Sequence, residues 1–390
     1  MRSVPFLHAP IALLTLAACS GSSPPEPQVE ADAGALTVDA APEPDAAALD
    51  AAESDAGPAD AGPEDSGVPA DSGSPQALGW ASAMNPPAAR PNWGSHLVYV
   101  PSEQRFILFG GDTYPIGGPI NETWALSATD GSWTKLEVEG DIPPPRYCYC
   151  ATYLPDTHEI LVVGGRTEEA PLPPAAFTLS LTDLRWTAVQ GAAPQGVIGC
   201  SVEWMPNLGR AIVYGGGSRS VLSDTWSYDP SARRFLRLDG LGAAPAARAD
   251  AANFYDPISG KMFVFSGAVR AVEPFLMRDD MWAFDGTAWS EVQTSTRPPN
   301  RRFASSAYDP ISARWYVFGG MYGPGDRDDL WAFDPAASTW EKIELPDRPS
   351  ARGFAPSAYD PVSGSMLMLG GLTVDFRTFS DGWRLSLPRN

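Results

Sequence analysis

The chain has 390 residues, 27 Lys and Arg against 47 Asp and Glu, and a formal net charge of −20. A protein this acidic lacks the basic footprint that nucleic-acid binding needs, so nucleic acid is set aside as a partner. The apolar run from Ile11 to Ala18 is too short to span a bilayer as a helix.

In chain order, Arg2 followed by that short apolar run suits a secretory signal. The run closes in Leu16-Ala17-Ala18-Cys19, which resembles the lipobox of bacterial lipoproteins. The resemblance implies cleavage before Cys19 and acylation of its thiol and new amino group, so the membrane is touched through a lipid anchor only. Ser20 after the cysteine resembles the pattern that sends lipoproteins to an outer membrane. Residues 1–19 are therefore expected to be a lipoprotein signal peptide, and the protein to be exported and held at the cell envelope.

Residues 20–76 are a low-complexity acidic run of Ala, Asp, Pro, Gly, Glu and Ser with almost no branched apolar or aromatic side chains. Such a segment buries too little surface to offset the entropy of ordering it, and is expected to be a disordered linker. It holds thirteen acidic residues and no Lys or Arg, which leaves −8 for residues 77–390. The acidity belongs mainly to the linker.

From residue 77 onward one unit recurs, and its cleanest copy runs from Arg301 to Trp340. It contains four short apolar segments separated by turns, the pattern of a four-stranded meander. Six copies keep register. An aromatic stands two residues before a proline at Tyr99, Tyr153, Trp204, Tyr255, Tyr308 and Tyr359, and nine residues after each proline comes Gly-Gly, replaced once by Ser266-Gly267. A third-strand aromatic follows at Trp124, Phe177, Trp226, Trp282, Trp331 and Trp383, and a fourth-strand aromatic at Trp133, Trp186, Phe235, Trp289 and Trp340. The sixth copy ends before its fourth aromatic, while Trp80 lies ahead of the first copy at the matching spacing. Residues 77–84 are therefore expected to pair with the last blade as its outer strand and close the ring.

A repeat of about fifty residues is the mark of a propeller. The diglycine, the acidic residue two before the third-strand aromatic and the later Trp resemble the kelch repeat, which implies an all-β fold, a six-bladed kelch-type β-propeller over residues 77–390. Kelch propellers include enzymes and binding proteins, so the resemblance fixes the fold and not the function. The copper-radical oxidases of the wider superfamily need seven blades and more histidines than His96 and His158 supply. No cofactor or metal site is expected, since neither histidine stands at ligand spacing from other candidates.

Cys148, Cys150 and Cys200 lie in first strands of the second and third copies, and Cys200 has the opposite strand parity to the other two. Adjacent blades face each other with opposite parity, so a disulfide from Cys200 to either Cys148 or Cys150 is expected in an oxidising compartment.

The interval from the diglycine to the third-strand aromatic varies, whereas the other turns are nearly constant. Variable loops on a rigid scaffold are where binding usually resides, and these emerge on one face. Candidate binding residues there are Tyr114, Arg270, Phe275, Tyr322 and Arg327. A second set is Arg146, Arg248, Arg301 and Arg352, each seven residues before the first-strand aromatic, with Asn92 and Val197 in the other two blades. The kelch resemblance puts this position near the mouth of the central channel, where guanidiniums could hold carboxylates or phosphates. Glu122, Asp224, Asp280, Asp329 and Asp381 form an acidic column two residues before the third-strand aromatic, read as structural.

No nucleophile elbow, phosphate loop or calcium loop is present, and no catalytic residue is assigned. The expected function is that of a monomeric, lipid-anchored envelope module that binds a protein or a glycan through its variable-loop face. The alternative is an enzyme resembling kelch-type sugar epimerases or mutarotases, acting on an acidic sugar held by the arginines.

Overall fold

The computed structural model describes residues 78–83, 92–167, 175–195, 197–217, 220–270 and 276–388. Cys19, the linker, Phe275 and the outermost residues of the predicted 77–84 strand lie outside them.

Six antiparallel sheets form a ring. The innermost strands are His96–Val100, Tyr147–Leu154, Ser201–Met205, Ala252–Asp256, Ser305–Asp309 and Ser357–Asp360, each followed outward by its own second and third strands. Four sheets finish with the strand that follows in sequence, and the second carries the short segment Glu139–Gly140 parallel to Arg185–Ala188 at its outer edge. The sixth finishes with Gly79–Ala83, which pairs antiparallel with Gly382–Ser386 in the register Gly79 to Ser386 and Ala83 to Gly382. That pairing satisfies an edge that would otherwise expose unpaired N–H and C=O groups. Gly382 follows a variable loop, so the chain enters at Gly79 on the opposite face and leaves Ala83 on the loop face.

The blades pack through large side chains at the aromatic columns. Trp80 is 8% exposed and meets Phe318 of the fifth blade with ring centroids 5.0 Å apart and Trp383 of its own blade at 6.5 Å. Replacing Trp80 by alanine empties this outer seam and is expected to cost about 3–5 kcal/mol, read from a denaturant midpoint. A loss under 1 kcal/mol would mean that the strand contributes little to closure.

Two sets of backbone hydrogen bonds tie each blade to the next. In the first, the second residue of each diglycine donates its N–H to the carbonyl at the arginine-column position of the following blade. Gly320 bonds Arg352 at 2.8 Å, and Gly371 bonds Asn92 at 2.9 Å, which joins the sixth blade to the first. The first glycine lies against the same region: a Cβ on Gly370 would stand 2.3 Å from the Asn92 oxygen, and its φ is +56°. Glycine is required there both for the left-handed backbone and for the close approach.

The second set is a closed ring around the axis. Residues two past the arginine column donate N–H to the equivalent carbonyl of the preceding blade: Gly94 to Phe354, Cys148 to Gly94, Gly199 to Cys148, Asp250 to Gly199, Phe303 to Asp250 and Phe354 to Phe303, all at 2.6–3.0 Å. All six residues have positive φ. The ring narrows the central channel at its loop-face end.

Cys150, in the innermost strand of the second blade, and Cys200, just ahead of that of the third, form a disulfide with Cα atoms 5.8 Å apart, and Cys148 is a buried free thiol. Strand parity admits Cys148 or Cys150 as the partner of Cys200; Cys150 is the one bonded, and Cys148 is one of the six residues of the axial ring.

Candidate functional site

The arginine column does not line a ligand mouth. Arg146, Arg248, Arg301 and Arg352 are 1–2% exposed, and each is bound within the blade walls. Arg301 donates from Nε to the Pro299 carbonyl, from Nη1 to the Gly319 carbonyl at 2.9 Å, and from both terminal nitrogens to Asp329 at 2.8 and 2.9 Å. Arg248 with Asp280 and Arg352 with Asp381 repeat the bidentate pair. Each carboxylate also accepts from the third-strand indole two residues on, as Asp329 does from Trp331 at 2.7 Å. The two columns read separately in the sequence are thus one device, an indole–carboxylate–guanidinium chain within each blade.

The exceptions obey the same rule. The second blade has Ala175 where the acid would stand, and Arg146 lies over the Phe177 ring at 4.8 Å while bonding the Gly164 carbonyl. The third blade has Val197 in place of the arginine, and its Asp224 pairs outward with Arg237 at 2.9 Å. In the first blade Asn92 donates to the Gly110 carbonyl, and Glu122 pairs with Lys135. The acidic-ligand reading of the arginines is corrected on this ground: their donors are committed to interior partners. The acidic-sugar alternative loses the residues it depended on.

Burial alone would raise the carboxyls of Asp280, Asp329 and Asp381, but the guanidinium and indole donors more than offset it and leave each below the ordinary carboxylate range. Their stabilising contribution is present above that ordinary range and is lost as pH falls through the depressed values. Asp250 and Glu203 behave oppositely, because burial pushes each up to about 7. The folded state holds their protons more tightly, so their contribution declines as pH rises from the ordinary range toward 7. Wild-type stability, followed by denaturant titration, is therefore expected to climb on leaving acid and then sag toward neutrality. In the Asp250→Asn, Glu203→Gln double variant the sag should disappear; a sag that persists would contradict the burial argument.

Of the loop-face candidates, Tyr322 and Arg327 belong to one loop, and the guanidinium stacks on the phenol at 4.2 Å. Tyr114, in the first blade, is half-buried with its N–H on Asp112, and Arg270, in the fourth, is exposed. First and fourth blades stand across the ring from each other, so these two are not neighbours. The group that sits on the axis was not anticipated. Trp93, Tyr147, Phe303 and Phe354 cluster over the loop-face end of the channel with Ile198, Met321, Leu372 and Phe376. Trp93 meets Tyr147 at 4.9 Å and Phe354 at 5.4 Å, and Phe303 stacks on Phe354 at 3.4 Å. Tyr147, Ile198, Phe303, Phe354 and Phe376 remain partly exposed.

Below this cap lies the channel, a cavity of about 400 Å³ lined by the six innermost strands. Its walls mix small apolar side chains with tyrosines and small hydroxyl residues, and His96, Glu203, Asp250 and Asn253 bring an imidazole, two carboxyls and an amide to them. Glu203 accepts from Asn253 at 2.6 Å. Burial holds the His96 imidazole down to about 4, so it is neutral at physiological pH.

A closed ring of six sheets, each built on a four-stranded antiparallel meander with Gly-Gly, or once Ser-Gly, at the second-strand end, defines a kelch-repeat β-propeller. Residues 94–252 and 207–390 match the KLHDC2/KLHL20/DRC7 Kelch-repeats domain, and the chain belongs to that family. It is similar to Kelch domain-containing protein 2 of Bos taurus, with 25% identity over 309 residues that cover 76% of this chain and 67% of that protein. It is also similar to Kelch domain-containing protein 3 of Homo sapiens, with 26% identity over 300 residues covering 68% and 75% of the two chains. Similarity to Host cell factor 2 of Homo sapiens is 27% over 278 residues, and the chain spans about a third of that protein's length, 33%.

Proposed function

We propose that this protein is a binding module of the cell envelope, lipid-anchored through Cys19, that captures a protein partner on its variable-loop face. The observation that carries this reading is the aromatic cap on the axis. Contiguous, partly exposed aromatic and aliphatic side chains, with Arg302 over the Phe303 ring at 5.1 Å, are the composition of protein interface centres. The kelch family membership supports a scaffold for protein interaction. The chain enters the propeller at Gly79 on the face away from the loops, which keeps the point of attachment off the proposed binding face.

The test is affinity capture from intact envelopes with the full chain as bait, wild type beside a Trp93→Ser, Phe354→Ser variant. Loss of the same specific prey from the variant, with its fold retained by circular dichroism, is the expected result. Identical prey in both would place the binding surface elsewhere. In parallel, incorporation of a labelled fatty acid should depend on Cys19, and labelling that survives Cys19→Ala would remove the anchor from the proposal.

A further inference from the structure

The axial channel contains an arrangement that the loop-face reading does not use. Asp250 lies two residues past the arginine-column position of its blade, His96 four past and Glu203 six past, so the three occupy successive levels along the axis. At a strand rise of about 3.3 Å per residue the levels are about 6–7 Å apart. All three line the cavity, and among the described residues no lysine or arginine lines it with them. Among the described residues the Asp250 carboxylate accepts no hydrogen bond and has only the nearby Arg302 charge acting on it, and the His96 imidazole has the Tyr149 backbone alone. Glu203 has Asn253 alone.

Burying a carboxylate without a partner is costly unless something compensates it. Here the Asp250 carboxyl, the Glu203 carboxyl with one amide donor, and a neutral imidazole present acceptors at three heights inside a cavity whose size falls within the range of small-ligand pockets. A single small ion sits at one level and satisfies one group. A flexible, thin chain with cationic donors spaced along it satisfies all three. We propose that the channel binds a linear aliphatic polyamine along the propeller axis, with its end ammonium groups on Asp250 and Glu203 and an inner nitrogen donating to His96. The alkyl segments then lie against the small apolar residues between levels, such as Ala251, Ala304 and Ala355. The ring of backbone hydrogen bonds and the Phe303–Phe354 pair stop the chain at the loop-face end, so entry is from the tyrosine-lined end.

Binding is coupled to protons. Burial leaves Asp250 and Glu203 partly protonated near neutrality, and a polycation draws both to the ionised form. The groups facing them are few: Arg302 and the Cys148 thiol beside Asp250, Asn253 beside Glu203, and Tyr149 beside His96. Ammonium groups stay charged from pH 6 to 8, so affinity rises over that interval as the carboxyls ionise.

The test is calorimetric titration of the full chain with spermidine at pH 6 and pH 8, with butylamine as the one-charge control. One saturable site is expected, at least about tenfold tighter at pH 8. Asp250→Asn and Glu203→Gln should each weaken it at least about tenfold, the loss of one charge-assisted contact. Butylamine should bind at least about tenfold more weakly than spermidine for the same reason. Adsorption to the acidic residues 20–76 would survive the double variant unchanged, and that result would overturn the proposal, as would absence of saturable binding or equal affinity for butylamine. Were a variant to unfold, the wild type still decides: spermidine should shift the His96 imidazole resonances, and saturable binding that leaves them in place would place the ligand outside the channel.

Discussion

Asp329→Ala is expected to destabilise the propeller by about 3–5 kcal/mol, because it leaves the Arg301 guanidinium buried without its counter-charge. Arg301 is 1% exposed, so solvent cannot take over the role of the carboxylate. It would keep its bonds to the Pro299 and Gly319 carbonyls, which satisfy two donors and neutralise nothing. Trp331 would lose its acceptor as well. The double replacement Arg301→Met, Asp329→Leu removes both charges and should cost much less than the single one, since an apolar pair of similar volume is often neutral in such a site. Guanidinium chloride midpoints of wild type, Arg301→Met, Asp329→Leu and the double variant give the coupling directly. A double variant as unstable as Asp329→Ala would show that the geometry of the pair, and not the uncompensated charge, is what matters.

The second large effect is expected at the diglycines. Gly370→Ala forces a side chain into a left-handed backbone, at about 1–2 kcal/mol, and sets its Cβ against the Asn92 oxygen that lies 2.3 Å away. That oxygen is the acceptor that joins the last blade to the first, so relief of the clash requires the blades to part and adds the loss of a buried hydrogen bond, about 1 kcal/mol. A total of about 2–3 kcal/mol is expected on those two contributions. Gly240→Ala is the control: φ is +70° but nothing lies within 4 Å of the new methyl. It should show the backbone cost alone, about 1–2 kcal/mol. Equal losses at the two sites would mean that conformation, and not the approach of the next blade, fixes glycine at position 370.

The blade architecture was legible because each part of it repeats. Six registered copies of an aromatic, a proline and a diglycine specify six sheets, and Trp80 at the matching interval ahead of them specifies the closing strand. The arginines were misread because their repeat was considered without its partner. Arg248, Arg301 and Arg352 occur in the copies that carry Asp280, Asp329 and Asp381, whereas the blade with Val197 has an acid and no arginine, and that with Ala175 an arginine and no acid. Read together, three copies carrying both already suggested a pair. The channel groups were hidden for the opposite reason, since they depart from the repeat. Asp250 stands where other blades have Gly94, Cys148, Gly199, Phe303 and Phe354, and Glu203 where others have Val98, Thr152, Phe254, Ala307 and Ala358. A charged residue at an axial position of an otherwise small or apolar column was the available signal. The aromatic cap, next to the arginine column in Tyr147, Phe303 and Phe354, could be placed on the axis only once the strands had a direction.

The closing strand also determines how the molecule bears load. Hydrogen bonds of an antiparallel pair run perpendicular to the strands. A pull on the chain ahead of Leu78 acts along Gly79–Ala83, and all five registered pairs with Gly382–Ser386 resist it together, in shear, rather than opening one after another as in a peeled zipper. Trp80, wedged against Phe318 and Trp383, must be dragged out of its seam in the same step. The non-covalent seam that completes the ring is thus oriented to carry tension from the preceding chain, and mechanical rupture should begin there in a single event.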